Sequence, residues 1–259
     1  MSEGALSELF DVDVVRPRKR RRGRRWVIAL LVILLILVVL LVVADRASAS
    51  YAQDRLKTQL ASTLAKDGGT VQSVQLEGFP FLNQVIGGHY TGLDAHIVDV
   101  PLSGLQLSSL TVTATDITWP LNDVVNQRLS AAIADRVDAT AVLPLSRIAA
   151  PLAPRGVKLS AEGANIRISA PAEIAGLGGV VSGLATVGVT NGQLTISLSK
   201  LTIGGVPLPA AAGNALTGQL ARFVKSPQLP YGLRLSSVKL VGQNLVIDAG
   251  ARQVHLTAG

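Results

Sequence analysis

The sequence contains no cysteine, and aromatic residues make up only 3% of its 259 residues. Without cysteine the chain has no disulfide framework, no nucleophilic thiol and no cysteine metal site. With two Trp, three Tyr and four Phe, it is poor in the rings on which single-stranded nucleic acids stack. These shortages argue against a disulfide-stabilised fold and against a nucleic-acid partner.

The chain also lacks the short motifs that identify common catalytic and nucleotide-binding sites. It has no G-x-S-x-G nucleophile elbow, no G-x-G-x-x-G run and no P-loop. The odd spacing of His89 and His96 predicts opposite faces of one strand rather than a shared metal site. We therefore predict no enzyme activity, no cofactor and no metal. A hydrolase using dispersed Ser and Asp residues is the weaker alternative.

What the sequence has in abundance is aliphatic residues. Hydrophobic residues make up 48% of the chain, and Trp26 to Ala44 form an unbroken apolar run of 19 residues. As a helix this run spans about 28 Å, which is enough to cross the core of a bilayer. The run predicts a membrane helix.

The charges that flank this run predict its orientation. Eight Arg or Lys residues lie at positions 16–25, but only Asp45 and Arg46 follow the run directly. The positive-inside rule predicts a single-pass protein of the plasma membrane with a cytoplasmic N-terminus. The alternative is a cleaved signal peptide, because Ala47-Ser48-Ala49 resembles a cleavage site, although the run is longer than the usual apolar core of about 7–15 residues.

Most of the net positive charge belongs to the same N-terminal segment. Residues 1–25 carry eight basic and four acidic side chains, a net +4 of the total +7, which leaves +3 for the rest. The high isoelectric point is therefore no sign of a nucleic-acid-binding domain. Basic clusters beside a membrane helix bind anionic lipid headgroups, and the residues predicted to do so are Arg18, Lys19, Arg20, Arg21, Arg22, Arg24 and Arg25.

Two amphipathic helices are predicted outside the membrane. The first follows the apolar run, with a stripe that includes Leu56, Leu60 and Leu64, and ends at Gly68-Gly69. The second lies within 209–226, and its stripe is Leu216, Leu220 and Phe223. Each helix has one apolar face that must be buried.

From Thr70 onward, apolar and polar residues alternate in the pattern of half-buried strands. Asn191-Gly192 is a strong hairpin signal, and a second tight turn is predicted at 242–244. The sequence thus predicts an α+β fold with one long, twisted, mostly antiparallel sheet. The segments 104–112 (GLQLSSLTV) and 232–240 (GLRLSSVKL) resemble each other, either by chance or because they occupy matching points in two halves of the sheet.

One short segment, Gly78-Phe79-Pro80-Phe81-Leu82, holds two of the four Phe residues. Pro80 cannot donate a hydrogen bond to a sheet, so the segment is an edge, a bulge or a loop. Either both rings pack the first amphipathic helix against the sheet, or one ring lines the end of an apolar cavity. Together with the two helical stripes, Phe79, Phe81 and Leu82 complete the predicted lining of such a cavity.

Three motifs in order, Gly78 to Leu82, GGVPLP at 204–209 and LPYGL at 229–233, resemble the actinobacterial LmeA-like family over residues 45–257. The family is similar to tubular lipid-binding (TULIP-type) proteins, in which a strongly curved antiparallel sheet wraps a long helix. The resemblance implies phospholipid binding, with phosphatidylinositol as the precedent, and a role in envelope lipoglycan synthesis beside a glycosyltransferase partner.

We therefore expect three parts, a basic cytoplasmic tail (1–25), a membrane helix (26–44) and an extracytoplasmic domain (45–259). The function that these parts suggest is a membrane-anchored phospholipid-binding protein of the cell envelope. The alternative is a non-catalytic scaffold that holds protein partners at the membrane, which would have a solid core without a continuous cavity.

Overall fold

A computed structural model describes residues 22–64, 68–102, 105–126, 131–174, 177–209 and 229–256. The chain divides into two compact units, Met1–Ala44 and Asp45–Gly259. The first unit holds the apolar run, and the second holds every strand described below.

The longest helix, α1, covers Arg22–Leu64. Within the described residues, Leu30–Ser62 is the one segment long and apolar enough to cross a membrane, with a mean hydropathy of 2.9 over its most apolar window. A helix of this kind near the N-terminus serves either as an anchor or as a signal sequence. The aliphatic side chains from Leu30 to Val43 are exposed.

The larger sheet has six strands in the order β1-β2-β3-β4-β11-β10, and every neighbouring pair is antiparallel. Its strands are β1 (Thr70–Glu77), β2 (His89–Leu102), β3 (Leu105–Thr118), β4 (Ile133–Pro144), β10 (Arg234–Val241) and β11 (Asn244–His255). Short helices lie at its ends, namely α2 (Phe81–Gly87), α3 (Leu121–Val125) and α4 (Leu145–Ala149), with 3₁₀ turns at Ala150–Arg155 and Pro230–Gly232.

The smaller sheet has five antiparallel strands in chain order. They are β5 (Lys158–Glu162), β6 (Asn165–Ile174), β7 (Leu177–Thr190), β8 (Gln193–Ile203) and β9 (Val206–Pro207). The predicted α+β class and antiparallel pairing are confirmed, but the strands form two sheets where the sequence predicted one. Periodicity shows which residues share a face, and it cannot show which strands become neighbours.

Both predicted hairpins are confirmed. Thr190 pairs with Gln193 across Asn191 and Gly192, whose φ angles of 53° and 75° are those of a type I′ turn. Val241 pairs with Asn244 across a two-residue turn that Gly242 opens at φ 60°. Such turns require positive φ, which Gly and Asn adopt most readily.

The similarity between 104–112 and 232–240 does not correspond to matching places, because β3 is a central strand and β10 an edge strand. Instead, the strands in equivalent places are β1 and β10, which form the two edges of this sheet. Both have the same alternation of burial, and both shift register two residues into the strand, between Val71 and Ser73 and between Leu235 and Ser237.

Candidate functional site

The apolar interior of the second unit lies between the two sheets. Its buried core joins strands of both sheets through Leu107, Leu143, Leu145, Ile166, Ala185, Val238 and Leu245. A wider set of aliphatic side chains packs against this core and stays only partly buried, including Val187, Val189, Leu194, Ile196 and Leu198. The interior is therefore aliphatic well beyond its fully buried centre.

One face of the smaller sheet is aliphatic, and the other is mainly polar, with Leu184 as a buried exception. Leu159 pairs with Ile168, Ile166 with Ala185, and Val187 with Ile196, so these side chains share one face. The residues between them, such as Ser160, Arg167 and Thr195, occupy the opposite face and are exposed. The sheet is thus an amphipathic wall whose aliphatic face turns toward the larger sheet.

Small side chains line the middle of the larger sheet's interior face. Ala95 pairs with Val112, Val112 with Ala139, and Ala139 with Ala249. We call Ala95, Ala139 and Ala249 the alanine row; all three are buried. An alanine side chain fills little volume, so this row allows another apolar group to approach the sheet closely. Apolar pockets built from such surfaces are the usual form of a ligand site.

Aromatic residues close one end of this interior face. A second core cluster contains Phe81, Tyr90, Ile117 and Val137. The ring of Tyr90 lies 6.5 Å from that of Phe81 and 6.5 Å from that of Trp119, within the usual range for aromatic pairs. Burial raises the pKa of Tyr90, so its phenol is neutral at physiological pH.

The two rings of the Gly78 to Leu82 segment have different environments. Phe81 is 7% exposed and belongs to the aromatic cluster, whereas Phe79 is 54% exposed. The guanidinium of Arg46 lies 5.2 Å from the centre of the Phe79 ring, within the distance of a cation–π interaction. The structure therefore places Phe81 in the core and Phe79 at the surface.

Helix α2 begins directly after Pro80, which has no side-chain group to cap it. The cap is supplied by Asp45 instead, whose Oδ1 accepts a hydrogen bond of 2.7 Å from the backbone N–H of Leu82. An acidic group that accepts from the second N–H of a helix satisfies an otherwise unpaired donor and favours the positive end of the helix dipole. Asp45 is 4% exposed, and it is the one buried charged residue among those described.

The remaining predicted cavity residues are not gathered into one lining by the described structure. Leu56 and Leu60 lie on α1 and are half-buried, while Leu82 is half-buried at the start of α2. Leu64 is the last residue of α1, but its side chain lies outside the described part. Leu216, Leu220 and Phe223, with the predicted second helix, lie entirely outside the described residues.

The side chains of the basic residues predicted to contact lipid also lie outside the part of the chain that the structure describes. Arg18, Lys19, Arg20 and Arg21 precede its first residue. Arg22, Arg24 and Arg25 fall within α1, but their side chains are outside the described part. Their role stays a prediction.

Polar side chains cover the outer face of the larger sheet. Asp248 accepts hydrogen bonds from Ser237 Oγ (2.7 Å) and Thr140 Oγ1 (2.9 Å), and these bonds lower the pKa of Asp248. The pKa of Glu77 is raised by its hydrogen bond with Asp94 and by the repulsion between their charges. These groups are exposed or half-buried and lie on the outer face, away from the apolar interior. The bonds to Asp248 stabilise that face, whereas the repulsion between Glu77 and Asp94 does not.

Two other kinds of site receive little support within the described ranges. No group of three or more His, Asp or Glu side chains there is arranged to hold a metal ion. A surface pocket of about 190 Å³ lies beside His89, Tyr90, Asp116 and Thr118. This volume is below the roughly 300–1,000 Å³ of typical small-molecule pockets.

Sequence reasoning placed the cavity on helices and on one loop, and it missed the strand residues that form the interior walls. The alternation in Gln193–Ile203 (QLTISLSKLTI) predicted a half-buried strand, but not the surface that would face it. The alanine row was missed because three alanines on different strands form no motif. Asp45 was missed because its partner is 37 residues away.

The fold and this interior define an α+β protein with two antiparallel sheets packed around an aliphatic interior. Residues 43–250 match the model of the LmeA-like phospholipid-binding family. Since the match covers 208 of the 259 residues (250 − 43 + 1), the chain belongs to this family. Comparisons with curated proteins and with solved structures give no match.

Proposed function

We propose that this chain is a membrane-anchored phospholipid-binding protein whose second unit works on the outer side of the plasma membrane. There it supports the assembly of envelope lipids or lipoglycans and performs no catalysis. The observation that carries the proposal is the aliphatic interior between the two sheets, in a chain of the LmeA-like phospholipid-binding family. Each methylene of an acyl chain that enters such an interior gains about 0.8 kcal/mol.

The alanine row is the proposed floor of the acyl-chain site. Larger residues lie on both sides of it along β4, with Val137 before Ala139 and Leu143 after it. A floor of small side chains between two bulkier clusters suits a chain of methylenes, because the chain needs width and no hydrogen bonds.

The cap on α2 supports a retained anchor over a cleaved signal peptide. Cleavage after Ala49 would remove Asp45, which is buried and bonded to α2, and Arg46, which covers Phe79. It would also remove Ala49 itself, which packs against the aromatic cluster. The second unit therefore uses residues that a cut there would discard. Measuring the mass of the mature chain tests whether the anchor is retained. A mass that corresponds to a chain starting at Ser50 would refute retention.

The headgroup and the partner follow from the resemblance rather than from geometry. We propose phosphatidylinositol as the lipid and an envelope glycosyltransferase as the protein that benefits from it. The N-terminal basic residues would hold anionic lipid on the cytoplasmic side, with the N-terminus inside.

The decisive experiment adds a large side chain to the alanine row. Ala139→Phe in the full chain would occupy the proposed floor, and Ser197→Phe would add the same ring on the exposed face of β8. Lipid is extracted from each purified protein and quantified by mass spectrometry. Because both variants keep the anchor, lipid bound around α1 cancels in the comparison.

We expect Ala139→Phe to lose bound phospholipid while Ser197→Phe keeps it. If the alanine row is instead packed solid, the added ring overpacks the core, costs about 1–3 kcal/mol and leaves the lipid content unchanged. That second outcome, together with a protein partner found by cross-linking, would favour the scaffold. A wild-type protein with no more lipid than its anchor holds would refute the proposal.

A further inference from the structure

The two most exposed apolar side chains among the described residues of the second unit lie at one end of the larger sheet. Helices α2 and α3 contact each other there, and the backbone N–H of Trp119 donates to Gly88 O at 2.8 Å between them. Ile86 on α2 is 73% exposed and Val125 on α3 is 71% exposed. We call Phe79, Ile86, Leu121 and Val125 the apolar tip.

The position of this tip is fixed by the chain that leads into it. The apolar run ends at Ala44, and the next residue, Asp45, is bonded to Leu82 in the first turn of α2. A helix of seven residues is only about 10 Å long. If residues 26–44 span the membrane, as the proposed function holds, α2 begins within one side chain of the residue that leaves the bilayer.

The charge beside the tip suits a phospholipid surface. Arg46 is exposed, with its guanidinium over Phe79 at the edge of the tip. A guanidinium there is at the level where lipid phosphates lie once the apolar side chains enter the acyl region. Asp123 is the acidic residue of α3 and is half-buried, so the side chains that protrude furthest from α2 and α3 are uncharged.

We propose that the apolar tip inserts into the outer leaflet and is the face through which the second unit meets its membrane. Exposed apolar patches rimmed by polar residues mark such contact surfaces. Ile86, Val125 and Phe79 enter the boundary between headgroups and acyl chains, in the manner of interfacial helices, and Arg46 binds an anionic headgroup. The aromatic cluster around Phe81 lies directly behind the tip, so lipid passing between bilayer and interior has a short apolar route.

The absence of cysteine allows a direct test by site-specific labelling. Full-length single-cysteine variants Ile86→Cys and Val125→Cys carry an environment-sensitive fluorophore and are reconstituted in phosphatidylcholine vesicles containing phosphatidylglycerol. Val241→Cys, in an exposed position at the β10–β11 turn, is the matched control. Val38→Cys, within the apolar run, reports on the anchor. Quenching by brominated lipids measures contact with acyl chains.

We expect the labels at Ile86 and Val125 to be quenched several-fold more than the label at Val241. Quenching no greater than that at Val241 would overturn the proposal, whatever the label at Val38 shows. Strong quenching at Val38 would then show that the anchor stands and the tip alone is wrong. Strong quenching at the tip with none at Val38 would support the tip and refute the anchor.

Discussion

Replacing each ring of the Gly78 to Leu82 segment in turn separates packing from binding. Phe81→Ala removes a ring that contacts Tyr90 in the aromatic cluster, and Phe79→Ala removes a ring two residues away at the surface. The two substitutions are chemically identical and neighbouring in sequence, so each is the control for the other.

The expected magnitudes follow from burial. Truncating a buried Phe costs about 3–5 kcal/mol, from lost transfer free energy and from the cavity left behind. Phe79 keeps more than half of its surface in solvent, and its contact with Arg46 is worth about 0.5–1 kcal/mol at an exposed site. For a unit of 215 residues (259 − 45 + 1), each kcal/mol shifts the melting temperature by about 2–4 °C. Phe81→Ala should therefore lower it by about 6–20 °C, and Phe79→Ala by less than about 4 °C.

The assay is thermal unfolding of the full chain in detergent, detected by tryptophan fluorescence. Uptake of a fluorescent phospholipid is measured on the same samples. Trp119 packs against the cluster that Phe81 helps form, so its emission reports loss of that packing. A Phe81→Ala protein that melts normally but fails to take up lipid would refute the packing argument and identify Phe81 as a gate.

Three further predictions test other contacts. Asp45→Ala should destabilise the second unit by about 1–3 kcal/mol, because it leaves the partly buried N–H of Leu82 without this acceptor. Asp45→Asn keeps an acceptor and should cost less, so equal melting of both variants would contradict the cap. Because the pKa of Asp248 is lowered, its contribution to stability is present above its ordinary pKa of 3.8 and is lost as pH falls through the lower folded-state value. The difference in melting temperature between wild type and Asp248→Asn should therefore be full at pH 7 and shrink below about pH 3.8. A difference that does not change with pH would contradict this prediction. Gly78→Ala places a Cβ 2.5 Å from Thr91 Oγ1 at φ 93°, whereas the Cβ of Gly242→Ala meets nothing within 4 Å at φ 60°. Both substitutions should cost about 1–2 kcal/mol because of the positive φ. Urea unfolding should show an additional loss of stability for Gly78→Ala alone.

Local sequence patterns predicted the local structure well. Alternation identified the strands, and Asn191-Gly192 identified its hairpin, because both signals come from residues that are neighbours in the chain. The unbroken apolar run predicted the long N-terminal helix for the same reason. Pro80 correctly excluded a central strand. Helix α2 was not predicted, because seven residues are too few to show a helical pattern of apolar residues.

The pairing of distant segments could not be read in this way. The second sheet exists because the chain leaves the larger sheet after β4 and returns to it at β10, and no local pattern records that exchange. The different environments of Phe79 and Phe81 depend on Arg46 and Tyr90, neither of which is near them in sequence. The walls of the interior were unpredictable for this reason, since each wall residue gains its role from a strand elsewhere.

The matching register shifts in β1 and β10 bear on how copies of this chain meet one another. If the proposed anchor holds many copies at one height on a membrane, their exposed strand edges would meet repeatedly and could add to one another. A bulge bends and twists an edge strand, so it offers no flat ladder for a neighbour to extend. Both edges of the larger sheet carry one, and the smaller sheet ends in strands of five and two residues. Edges of this kind disfavour strand addition between neighbouring copies of the chain.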